Sequence, residues 1–266
     1  EATSGAALVS LNSLDLAVDT IKGLLTDTYD HEAQVQANNV LESTWANICD
    51  GGEFDAMVKQ CLTTYPHSGR AHACAVLNQW WCKGDLIAAR KAIDTGLQAL
   101  SNDAVPMSIF VDLVLRGDRF DPQLARKLAM AMAPVAAGAS GGPFTQLVYL
   151  RALLRDGQER MAGRICATLP KRISGRADLQ LHFAETLMES SNPMAHRDAA
   201  ERAIQNAEAN SGLRKLVYAA RHKLLKRCQE DEAAEKLMKE YRARNLGSGL
   251  NNDAWYLIVQ PQTMGR

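Results

Sequence analysis

An excess of charge of either sign is missing from this 266-residue chain, since thirty Lys and Arg balance thirty Asp and Glu. With no basic surplus, the overall charge gives no reason to expect a nucleic acid or an anionic membrane as partner. Aromatic residues are scarce at 6%, while Ala and Leu recur throughout. That composition suits closely stacked helices better than a β-sandwich, whose strands favour β-branched and aromatic residues. No apolar run approaches the ~20 residues that cross a bilayer, so no membrane span is expected.

The motifs of chemistry are missing too. Six cysteines at 49, 61, 74, 82, 166 and 228 contain no CxxC and no partner histidine at zinc-finger spacing. They read as small buried hydrophobes in a reducing compartment, which favours the cytoplasm, with disulfides between stacked helices as the alternative that spacing does not decide. The histidines (His31, His67, His72, His182, His196, His222) are scattered and form no HExxH or HxH. No GxSxG elbow is present, and Ala139-Ser140-Gly141-Gly142 lacks the GKS/T of a phosphate loop. Glu185 and Glu189 share a helical face at i, i+4, but two like charges on such a face read as solvated surface rather than an acid–base pair. No metal, cofactor or catalytic activity is expected.

What the chain does have is a recurring unit: an amphipathic helix, a short polar turn and a second helix opening with small residues. The clearest copy runs from Arg70 to Ser101. Its first helix extends to Cys82, Lys83-Gly84-Asp85 makes the turn, and Ala89, Ile93, Gly96 and Leu97 lie on one face of the second helix. Gly84 suits the left-handed conformation that ends a helix, and Asp85 suits the next N-cap. The position of Ala89 recurs at Met57, Ala125, Ala162, Ala200 and Ala234, at spacings of 32 to 38 residues. Periodicity predicts helices near 13–26, 32–49, 53–65, 69–83, 85–100, 105–116, 121–137, 143–155, 158–168, 176–190, 194–209, 213–228, 231–244 and 250–258.

The copy at Arg70–Ser101 resembles the tetratricopeptide repeat. In that family a turn Gly-Asp precedes a small residue five positions on and another seven further, the places of Ala89 and Gly96. Trp80 stands where the family has a large aromatic, and Trp255 looks like the first aromatic of a further unit. Leu77 and Ala73 depart from the pattern. The resemblance implies an all-α, right-handed superhelical solenoid of such hairpins. Its expected parts are a lead-in and capping helix at 1–30, about six hairpins over 31–249, and at 250–266 the start of another helix. That last helix, with Glu rather than Met at position 1, suggests a region of a larger protein.

The resemblance also implies a concave groove lined by the first helix of each pair. Counting back from the turns, the groove-facing places include Ala71, Cys74, Asn78 and Trp81, then Phe144, Leu147, Arg151 and Leu154, then His182, Glu185 and Glu189, and finally Lys223 and Lys226. From these, Asn78, Trp81, Phe144, Arg151, Glu185 and Lys223 are the expected contact residues for a protein or peptide partner, with Trp81 as anchor. Cys74 stands where a carboxylate-clamp Lys would be, which disfavours that partner class. The alternatives are RNA binding by a helical repeat, for which the stretch Arg214–Arg227 is the strongest local charge signal, and a non-catalytic regulatory domain fused to an enzyme. Glu1–Gln60 holds ten acidic residues against Lys22 and Lys59, so an acidic head precedes a mildly basic body.

Overall fold

A computed structural model of the chain describes residues 53–101, 103–117, 122–138, 141–209 and 214–245. Among the described residues there are eleven α-helices and no strand. They are α1 (Glu53–Thr64), α2 (Gly69–Leu77, continued by a π turn at Asn78–Cys82), α3 (Leu86–Ala99), α4 (Ala104–Gly117), α5 (Pro122–Ala137) and α6 (Pro143–Arg155). After these come α7 (Glu159–Arg172), α8 (Ala177–Met188), α9 (Pro193–Glu208), α10 (Arg214–Arg227) and α11 (Asp231–Asn245). The expected helices at 13–26, 32–49 and 250–258 lie outside the described residues, as do the lead-in at 1–30 and the segment 250–266.

The helix boundaries follow local chemistry. Ser68 caps α2 by accepting from the Ala71 N–H at 3.3 Å, and Asp85 caps α3 by accepting from Ile87 and Ala88 at 3.0 and 2.9 Å. Asn192 caps α9 ahead of Pro193, which sits where a missing N–H costs nothing. The α7 helix runs four residues past its expected end. Pro170 reads as a stop, yet it lies in the last turn, and the Gln180 amide of α8 donates to the carbonyls of Pro170 and Ile173, at 3.5 and 3.2 Å. The carbonyls left free at that helix end thus find a donor.

Three turns share one geometry. Gly84, Gly157 and Gln229 have φ of 65°, 72° and 61°, the left-handed region. Five residues later in each case stands a buried alanine: Ala89 (2% exposed), Ala162 (0%) and Ala234 (0%). Ala125 and Ala200, at the same register, are 1% exposed. The side chain of Met57 lies outside the described residues.

The chain divides between Asp156 and Gly157 into two compact units. In the first, α2 packs on α1, α3 and α4, α4 packs on α6, and α5 lies against both α4 and α6. In the second, α8 packs on α9 and α10, with α9 also on α10 and α11 on α10. Alternate helices therefore meet within each unit, and of these α2, α4, α6 and α8 are the most buried. Every residue of α4 from Pro106 to Leu115 is buried, whereas α3, α5, α7 and α9 bury one stripe each. Each large apolar side chain so enclosed contributes about 1.5–3 kcal/mol relative to exposure.

Candidate interaction surfaces

The groove expected from the resemblance is the natural place to begin. Asn78, Phe144 and Arg151 are expected on an open concave face, and the structure places all three inside, at 2%, 4% and 1% exposure. Their neighbours in that register, Ala71, Cys74, Leu147, Leu154 and His182, are buried as well. The reason is chemical as much as steric. Asn78 donates its amide to Asp55 at 2.9 Å, and Asp55 also pairs with Lys59 and Lys83. Those donors hold its carboxyl down to about 2. The Arg151 guanidinium of α6 pairs with Asp112 of α4, both out of solvent. Arg155 nearby donates to the Leu115 carbonyl, and Ser108 to the Thr145 hydroxyl at 3.0 Å. These groups hold α4 and α6 together. Glu185 is half-buried and Lys223 exposed, and the side chain of Trp81 lies outside the described residues.

Cysteine chemistry is also constrained. Cys74, Cys166 and Cys228 carry free thiols. Burial pushes Cys74 up to about 12 and Cys166 up to about 11, so neither supplies a thiolate at neutral pH. Cys82, by contrast, is disulfide-bonded. At Cys82 the disulfide alternative holds in place of the unpaired reading.

One cluster has the residue types of a hydrolase. Glu159 accepts from the Ser190 hydroxyl at 3.2 Å and meets His196 Nε2 at 3.2 Å. The order is that of no Ser-His-carboxylate triad, since the carboxylate sits between Ser and His and the imidazole does not hydrogen-bond to the hydroxyl. Ser190 also accepts from the Asn192 N–H at 3.0 Å, so the cluster organises the turn before α9. Among the described residues no three His, Cys, Asp or Glu side chains are placed to hold a metal ion, and no helix is long and apolar enough to cross a membrane.

The charged surface departs most from the sequence reading. On α10, the strongest basic run, the cations are largely engaged. Arg221 pairs with Glu201 and Glu208, each at 3.1 Å, and Lys226 with Asp231 at 2.7 Å. Arg227 donates to the Met188 and Ser190 carbonyls at the end of α8, where a cation also suits the helix dipole. The side chains of Arg214 and Lys215 lie outside the described residues.

A row of unengaged cations stands on α7 instead. Arg160, Arg164, Lys171 and Arg172 are exposed and have no ion-pair partner among the described residues. At 3.6 residues per turn, Arg160, Arg164 and Lys171 fall within roughly 40° of arc and span about 16 Å of helix. The opposite face carries the buried Ala162, Leu169 and Ile173. Beside the ridge lie Gly163, Ala167 and Thr168, all exposed. A Cβ added at Gly163 would meet nothing within 4 Å. The i, i+4, i+11 spacing of the cations was the available signal for this ridge; the denser run on α10 outweighed it because sequence does not show which cations are already paired.

The chain matches no protein-family model, no curated protein and no solved structure.

Proposed function

We propose that the chain is a protein-interaction scaffold, a solenoid of tetratricopeptide-like hairpins that binds a protein or peptide partner. The observation that carries this reading is the recurrence of one joint. A left-handed residue stands five positions before a buried alanine at 84/89, 157/162 and 229/234. Those joints are 73 and 72 residues apart, close to two family units of about 34 residues each. An array of such hairpins offers long surfaces with many shallow contacts, which suit extended polypeptides better than small metabolites. The right-handed superhelical course and the family assignment are part of this proposal.

With Asn78, Phe144 and Arg151 taken up by interior packing, the exposed faces of the more peripheral helices become the favoured contact surface. The test is affinity capture from the native source, followed by calorimetry with the purified captured protein. A partner that binds the isolated chain reproducibly and saturably supports the scaffold reading, and failure to retain any such partner would end it. Arg151 is unsuitable as a surface probe, because its substitution disturbs the core.

A further inference from the structure

We infer that the α7 ridge is the docking site for an acidic polypeptide segment of a partner protein, seated over the bare helix backbone at Gly163; this rests on the scaffold reading above. Two independent observations meet there. The first is charge left uncompensated. Elsewhere in the second unit Arg176, Arg197, Arg221 and Lys226 each have a carboxylate of the chain itself. Arg160, Arg164 and Lys171, aligned on one face, have none among the described residues. The second is Gly163. Glycine inside a helix is unfavourable relative to alanine, and here no neighbouring atom requires the missing side chain. Its absence leaves a strip of exposed backbone beside the ridge, continued by the small Ala167, along which another chain can approach closely.

The geometry favours carboxylates on a polypeptide. Arg160 and Arg164 stand about 6 Å apart along the axis at 1.5 Å per residue, near the spacing of roughly 6.6 Å between same-side residues of an extended chain. Two alternate Asp or Glu side chains can therefore each meet a guanidinium, whose planar fork matches a carboxylate in two parallel hydrogen bonds. Lys171, about 10 Å further on, supplies a less directional charge. Single-stranded nucleic acid fits less well. Its sequence-tolerant binding uses aromatic platforms for base stacking, and α7 contains no aromatic residue.

The test is fluorescence anisotropy of a labelled oligo-glutamate peptide with the full chain, titrated with salt, beside a labelled oligouridylate. The parent should bind oligo-glutamate with an affinity that falls as salt rises. The R160E/R164E/K171E variant should bind about tenfold or more weakly. Gly163→Leu should weaken binding similarly by covering the strip, although its side chain enters open space and leaves folding intact. The control R202E/K236E, which reverses exposed cations elsewhere in the second unit, should bind like the parent. Absence of oligo-glutamate binding by the parent, undiminished binding by both ridge variants, or a preference for oligouridylate would each overturn the proposal. Should the triple reversal fail to fold, R160Q/R164Q and Gly163→Leu decide the matter. If a native partner is still captured while the ridge variants behave as the parent, the ridge fails and the scaffold reading stands; if no partner is captured, the scaffold reading fails.

Discussion

The Arg151 guanidinium of α6 lies against the Asp112 carboxylate of α4, with 1% and 6% of the two side chains left to solvent. A pair so enclosed holds together once formed, because removing either partner leaves the other charge buried and uncompensated. Arg151→Met alone should cost about 3–5 kcal/mol, whereas Arg151→Met with Asp112→Leu should recover most of that loss. Chemical denaturation of the two variants and the parent checks this. A single variant as stable as the parent would show that the pair does not bear on the α4–α6 interface.

The turns provide a second expectation. At Gly84 and Gly157 a Cβ would meet nothing within 4 Å, so the whole cost of a side chain there is conformational. Gly84→Ala and Gly157→Ala should each destabilise by about 1–2 kcal/mol. Gln229 occupies the same left-handed geometry at φ 61° with a side chain, so Gln229→Gly should stabilise by about 1 kcal/mol. Thermal melts of the three variants test the equivalence of the turns directly. A destabilised Gln229→Gly variant would mean that its side chain supplies something the geometry alone does not.

These turns also show why so much of the fold was legible. Helix positions follow from apolar periodicity and from residues such as Ser68, Asp85 and Asn192 that cap in place, so ten of the eleven described helices lie close to their expected bounds. The exception, α7, extends because a residue from another helix, Gln180, receives its last carbonyls. The site was far less legible. Whether Asn78 or Arg151 faces a groove depends on Asp55 and Asp112, whose approach is tertiary. The same holds for Arg221 and Lys226 of α10, neutralised by Glu201, Glu208 and Asp231. Local periodicity records which face a residue takes, and long-range pairing decides what meets it there.

Acid should weaken the first unit through His72. Burial is the largest influence on this ring and lowers its affinity for a proton below the ordinary value of 6.5, although its Nε2 meets the Pro66 carbonyl at 2.8 Å. The unfolded chain then binds more protons than the folded one as pH falls below 6.5, so stability is complete above that value and is lost on descending toward the depressed folded one. His72→Gln retains an amide donor for Pro66 and removes the titration. The parent's melting temperature should fall more steeply than the variant's between about pH 7 and pH 5. Equal slopes would exclude His72 as the source.

Two glycines inside helices should respond oppositely to the same substitution. At Gly96 of α3 a Cβ would come within 2.7 Å of the Phe110 ring and 3.3 Å of His72 Cβ. Phe110 is wholly buried and packs edge-on against His72 at 6.4 Å, so it has no room to withdraw. Gly96→Ala should therefore destabilise by about 1–3 kcal/mol, the cost of overfilling a packed core. At Gly163 of α7 nothing opposes the added methyl, and Gly163→Ala should stabilise by about 0.5–1 kcal/mol through helix propensity alone. Denaturation curves of the two variants separate a glycine required by the interior of the fold from one that the fold itself does not need. If Gly163→Ala instead lost stability, a packing constraint at that position would account for the glycine, and the bare strip beside Arg160 and Arg164 would no longer count as an observation in favour of a partner.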